Sequence, residues 1–148
     1  MPNISQSQTL GKTGSVAFRL TPTSNNTNRL YLLAIGSATK DQITLVVTKD
    51  STGNRSLQLE IINTSGVPAQ WSTPFPDFKI GMSFDVELVW SSERNLIAVF
   101  IGNNEDPIMI QKDPKIQFVN LGNTVHYGED INGDGQTEMN CSPKTQDR

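Results

Sequence analysis

The chain has 148 residues, 35% of them apolar and 18% charged, with a formal net charge of −3. That length suits one domain with a two-sheet core. The acidic balance leaves no basic footprint for nucleic acid or for an anionic membrane surface, and no apolar run approaches the roughly 20 residues that span a bilayer.

Asn, Ser, Thr and Gln make up the shortfall, a mixture suited to β-rich secreted modules or virion parts. Met1 to Leu10 lacks the basic and apolar regions of a signal peptide. The expectation is a chain that stays inside its cell, is excised from a larger protein, or leaves by lysis. Met1 to Gly14 reads as a polar lead-in or an edge strand. Ser15 to Leu20 alternates, with Val16, Phe18 and Leu20 inward, and Pro22 stops that strand. Thr21 to Asn28 is a loop of residues that compete for backbone hydrogen bonds. Leu30 to Ile35, apolar on both faces, is a second predicted strand. Ile43 to Thr48 is a third, and across the Asp50-Gly53-Asn54 turn Ser56 to Ile62 returns with Gln58 and Glu60 outward.

Asn63 to Gly81, with Pro68, Pro74 and Pro76 among Trp71, Phe75 and Phe78, reads as the longest irregular stretch. The central hairpin follows. Phe84, Val86, Leu88 and Trp90 share one face, Asp85, Glu87 and Val89 the other, and Ser91 to Arg94 is the turn into Leu96 to Ile101. Ile108 to Gln111 and Ile116 to Leu121 are the last predicted strands, before a polar, Gly-rich tail. No window keeps helical spacing. Short strands with turn signals about every ten residues predict an all-β sandwich or barrel.

Gly14-Ser15-Val16-Ala17-Phe18 followed by Leu32-Leu33-Ala34-Ile35-Gly36 resembles the opening of a laminin-G-like or concanavalin A-like sandwich. Lys79 to Val86 resembles that superfamily's entry to its central hairpin, with Ser83-Phe84 in place of the usual Trp-His. Asn95 to Asn103 and Val119 to Asn123 resemble its return and late strands. The resemblance covers roughly residues 14 to 123. It implies a jelly roll of two antiparallel sheets, usually a carbohydrate- or protein-binding module, with some glycosidase relatives.

Those relatives carry a Glu-x-Asp-x-x-Glu run whose paired carboxylates perform hydrolysis. Here Asp85-Val86-Glu87 is the comparable run. It lacks a third carboxylate, and its plain reading is the solvated face of an amphipathic strand. With one histidine there is no alternative member for a His-based triad, and neither a nucleophile elbow nor a phosphate loop occurs. The single cysteine, Cys141, reads as a free thiol. Sequon matches such as those at Asn25, Asn54 and Asn63 are expected by chance in so Asn-rich a chain.

The strongest local motif is Asp130-Ile131-Asn132-Gly133-Asp134-Gly135-Gln136-Thr137-Glu138. Oxygen ligands from Asp130, Asn132, Asp134 and Glu138, a backbone carbonyl at Gln136 and a Gly at the sixth place suit a calcium loop. It resembles the loops of EF-hand-like and integrin-propeller repeats, but Cys141 stands where an EF-hand needs its bidentate Glu. Any calcium affinity is then expected near 10⁻⁴–10⁻³ M, on the order of extracellular modules. A metal-free Gly/Asn/Asp turn is the alternative. His126 and Tyr127, just upstream, are candidates with Trp71 to line a sugar site, with ordinary surface or strand-end packing as the plain alternative.

The expectation is therefore one all-β domain over residues 1–148, an antiparallel two-sheet jelly roll. Its core covers about residues 14–123, and the tail 124–148 carries the candidate calcium loop. The expected function is non-catalytic, lectin-like binding of a glycan or cell-surface ligand, with calcium as a candidate ion and oligomerisation open. The place of action is then extracellular or on a virion. A structural or adhesive domain of a virion or cell-surface assembly is the alternative, and a glycoside hydrolase the third reading.

Overall fold

The structure is a computed structural model describing residues 4–7, 10–23, 28–36, 41–63, 65–76, 78–102, 104–122, 124–128 and 139–143. No helix occurs among them. Eleven strands run in chain order: β1 (Ile4–Ser7), β2 (Thr13–Pro22), β3 (Arg29–Gly36), β4 (Gln42–Lys49), β5 (Arg55–Ile62), β6 (Pro68–Pro74), β7 (Phe84–Ser91), β8 (Leu96–Ile101), β9 (Met109–Lys112), β10 (Thr124–Tyr127) and β11 (Met139–Pro143). They form two antiparallel sheets, one in the order β1-β10-β3-β4-β5-β6 and the other in the order β11-β2-β7-β8-β9. The chain runs two meanders, β3 to β6 and β7 to β9, and changes sheets between them.

Alternation decides which face is buried. The apolar sets read from the sequence meet between the sheets: Val16, Phe18 and Leu20 of β2 and Phe84, Val86, Leu88 and Trp90 of β7 against Ile43, Leu45 and Val47 of β4 and Leu57, Leu59 and Ile61 of β5. Nearly all are at most a few per cent exposed, and each such side chain contributes about 1.5–3 kcal/mol by leaving water. The central hairpin pairs Val86 with Ile101 through Ser91 with Leu96, and its turn is closed by Asn95 in the left-handed region at φ 54°.

Four departures from the sequence reading stand out. Pro68–Pro74, read as irregular, is the edge strand β6. Its prolines sit at its two ends, and among the described residues it pairs with β5 alone, the edge position in which prolines are tolerated. The tail supplies β10 and β11: β10 pairs with β1 and β3, and β11 with β2. Ile116 to Leu121, read as a strand, is extended chain outside both sheets. It packs through Ile116, Phe118 and Leu121, all at most 1% exposed, and is pinned by side chains rather than by a ladder. Ser92 Oγ accepts the Phe118 N–H, and Asp41 Oδ2 accepts the N–H groups of Val119 and Asn120. Finally, β3 only reads as apolar on both faces: a register shift between Tyr31 and Leu33 brings Leu30, Leu32, Leu33 and Ile35 all to the core, which leaves Arg29, Tyr31 and Ala34 outward.

Candidate functional site

The outward face of the six-stranded sheet differs from that of an ordinary amphipathic sheet. Register places His126 of β10 opposite Ala34 of β3, Ala34 opposite Thr44 of β4, Thr44 opposite Glu60 of β5, and Glu60 opposite Gln70 of β6. These five side chains form one cross-strand row pointing away from the core. On the central strands the row is short: Ala34 is fully buried and Thr44 is 9% exposed. Longer polar side chains stand on either side.

One wall is an ion-paired cluster. The Nη2 of Arg29 donates to both oxygens of Glu60, at 2.9 and 2.8 Å, and its Nε donates to the Tyr31 hydroxyl at 3.1 Å. Gln58 donates through Nε2 to Glu60 Oε2 in a short hydrogen bond. Arg29 lies on β3 in the row of Thr48, and Glu60 lies on β5 in the row of Thr44, so the pair reaches diagonally across β4 at Val46. That accounts for Val46, which points outward yet has no exposed surface. Burial works against the Arg29 charge, but the hydrogen bonds to Tyr31 and Glu60 outweigh it and raise its pKa.

Beyond Glu60 the face sinks into a depression of about 400 Å³. Gln42, Thr44, Glu60 and Gln70 line it on the polar side, and Ile62 and Pro68 supply apolar surface. Such a volume lies within the range of small-molecule sites. Polar groups that converge beside an apolar patch can bind a ligand with hydroxyls on its rim and CH groups on its face.

His126, Tyr127 and Trp71 are not gathered in one place. His126 lies on the outward row, half-buried, about 14 Å from Glu60 at the usual strand spacing. Tyr127, the next residue, necessarily points the other way. It is 2% exposed and packs against Phe18, so the expectation that it lines a ligand site is corrected: it is core. Trp71 sits on the core-facing side of β6, partly buried against the hydrophobic cluster and about 19 Å from β10. The calcium candidates Asp130, Asn132, Asp134, Gln136 and Glu138 lie outside the described residues. Among the described residues no group of three His, Cys, Asp or Glu is placed to hold a metal ion.

The Asp85–Glu87 run lies on the outward face of the other sheet, on β7. There Asp85 is held by Arg19, which donates from Nε at 2.8 Å and from Nη2 at 3.4 Å. Glu60, Gln42, Thr44 and Gln70 were not singled out from the sequence. The available signal was the outward placement of Gln58 and Glu60, but their neighbours become visible only once β4 and β6 flank β5.

No protein-family model and no curated protein matches the chain. Solved structures do. The domain described as the enzymatically active domain of tailspike protein 2 from bacteriophage CBA120 has a TM-score of 0.70 at 16% identity, covering 97% of this chain and 24% of its own. A native heptameric SAP-like pentraxin from Limulus polyphemus has a TM-score of 0.59 at 21% identity, covering 96% of this chain and 65% of its own. The sialidase carbohydrate-binding module CBM40 of Ruminococcus gnavus, bound to α2,3-sialyllactose, has a TM-score of 0.59 at 18% identity, covering 88% and 74%. The fold is the concanavalin A-like jelly roll. This chain thus spans less than two thirds of the pentraxin and about a quarter of the tailspike domain, and at these identities the likeness is one of fold.

Proposed function

We propose that this chain is a non-catalytic carbohydrate-binding module that seats a saccharide in the trough on the outward face of the six-stranded sheet. The observation that carries this reading is the depression beside Glu60, where the Gln42, Thr44 and Gln70 side chains converge next to Ile62 and Pro68. A sugar ring needs such a mixture, with hydrogen-bonding groups for its hydroxyls and apolar surface for its CH face. The lectin-type sandwich, and its likeness to a module bound to sialyllactose, support the assignment. His126, on the same cross-strand row, extends the site for a longer glycan.

The non-catalytic part rests on the carboxylates. Glycoside hydrolysis uses two, at separations of roughly 5–5.5 Å or 6.5–9.5 Å. Glu60 is the one carboxylate among the described residues lining the trough, and it is already paired with Arg29. Asp85, in the other carboxylate run, is paired with Arg19. A glycan array decides the reading: binding to defined oligosaccharides, lost on Glu60→Ala without loss of fold, supports it, and an array blank at high protein concentration rejects it.

Calcium belongs to the same proposal as a structural or bridging ion, held by Asp130, Asn132, Asp134 and Glu138 with the Gln136 carbonyl. A rise in melting temperature at millimolar calcium, abolished by Asp134→Ala, is the expected result. An unchanged melting temperature sinks this part alone. Action outside a cell or on a virion completes the reading. The likeness to a phage tailspike domain favours, as the second reading, an adhesive or structural domain of a virion. A stable oligomer that binds no glycan is the outcome that selects it.

A further inference from the structure

We infer that the trough selects uncharged saccharides and rejects anionic ones, an inference that rests on the glycan reading above and names its ligand class. Recognition of a carboxylate- or sulfate-bearing sugar needs a cation with donors to spare, and Arg is the side chain best shaped for it. Apart from His126, Arg29 and Glu60 are the charged side chains on the described outward positions of β3, β4, β5, β6 and β10. They cancel one another. The Arg29 Nη2 donates to both Glu60 oxygens and its Nε to Tyr31, so its charge is balanced by Glu60, and Arg29 is not among the residues lining the depression. Among the described residues no Lys or Arg lines the depression, and the group with full charge on its wall is the Glu60 carboxylate.

The lone pairs of Glu60 point to the same class. An ionised carboxylate offers about four acceptor sites. Oε1 accepts from Arg29, and Oε2 accepts from Arg29 and Gln58. About one site on Oε1 is left, and it suits a hydroxyl donor. A sugar hydroxyl fills it; a second carboxylate meets like charge in a partly desolvated cleft. The Gln42 and Gln70 amides and the Thr44 hydroxyl are neutral groups that serve hydroxyls equally well. The trough is thus the electrostatic reverse of what a sialylated ligand requires, although a module of this fold binds one.

The test is an array of neutral oligosaccharides printed beside their α2,3-sialylated and sulfated counterparts. It is followed by titration of the best neutral hit and its anionic counterpart, at low and at high salt, with the full chain and with Glu60→Gln. Neutral glycans should bind, with the anionic counterpart weaker by about tenfold or more. Salt should narrow that gap by screening, and Glu60→Gln should narrow it further by releasing Arg29. Anionic glycans binding as tightly as neutral ones overturn the inference and leave the glycan reading standing. So does a gap unmoved by both salt and the substitution, because the exclusion would then be steric. Binding to neither class overturns the glycan reading itself. If Glu60→Gln does not fold, the salt series on the unaltered chain carries the test.

Discussion

The Tyr127 ring of β10 lies 5.7 Å from the Phe18 ring of β2, centroid to centroid and tilted by 56°, and so ties one sheet to the other. Removing the ring by Tyr127→Ala should cost about 3–5 kcal/mol, the usual range for an aromatic deleted from a packed core. The hydroxyl adds a pH signature. Burial pushes the Tyr127 pKa up to about 12, above the value of about 10 for an unfolded tyrosine. A buried phenol that must stay neutral contributes stability in full below pH ~10 and loses it as pH rises through about 12. Equilibrium unfolding across that window should therefore show a fall of order 2 kcal/mol. Tyr127→Phe should flatten it, and an equal slope in both proteins would disprove the assignment.

A second prediction concerns Gly14. A Cβ at this position would come 2.8 Å from Trp90 Cζ2, a contact closer than real methyl groups make. The indole cannot retreat, because Trp90 is 1% exposed and its Nε1 donates to the Gly11 carbonyl at 3.0 Å. Gly14→Ala should destabilise by about 1–3 kcal/mol through overpacking. The near-ultraviolet dichroism of the tryptophan should change with it. A variant as stable as the parent, with an unchanged tryptophan signal, would show that the β2–β7 pair has more room than this geometry gives it.

The hairpin from Phe84 to Gly102 was legible in the sequence because one face of it is core. Burial on one side leaves a period-two pattern that propensity and alternation both report. Strand β6 was hidden for the opposite reason. Ala69, Trp71 and Thr73 do alternate with Gln70 and Ser72, but the prolines at both ends read as loop chemistry, and only the edge position makes them harmless. Ile116 to Leu121 misled by being apolar enough for a strand while its backbone is held by Ser92 and Asp41, residues far away in the chain. The site was less legible than the fold. His126 was picked out as chemistry-bearing and does lie on the trough face, whereas Glu60 looked like any solvated residue. Its meaning comes from Thr44 and Gln70, which reach it only through the register of β4 and β6.

Asp41 shows how such a distant residue can be tested. Asp41 is 5% exposed, and its Oδ2 accepts the backbone N–H groups of both Val119 and Asn120. Asp41→Ala leaves two N–H groups without their acceptor and should cost about 2–4 kcal/mol. Asp41→Asn keeps an acceptor oxygen without the charge and should cost roughly half of that. Amide exchange at Val119 and Asn120 should accelerate in the alanine variant before exchange in the β3–β4 ladder does. Uniform acceleration across both sheets would mean that Asp41 supports the whole fold rather than this segment.

Gln70 separates binding from folding in the trough. It lies at an exposed position on β6, opposite Glu60, and its amide lines the depression. Nothing in the core depends on it, so Gln70→Ala should change stability by no more than about 0.5 kcal/mol. Losing one neutral hydrogen bond to a sugar hydroxyl is worth about 1 kcal/mol, or roughly fivefold in affinity. Ser72, two residues along the same strand and outward on the same face, does not line the depression and serves as the control. Ser72→Ala should leave glycan affinity unchanged. Equal losses from the two substitutions would place the sugar along the β6 edge as a whole, whereas a loss confined to Gln70→Ala places it against Glu60.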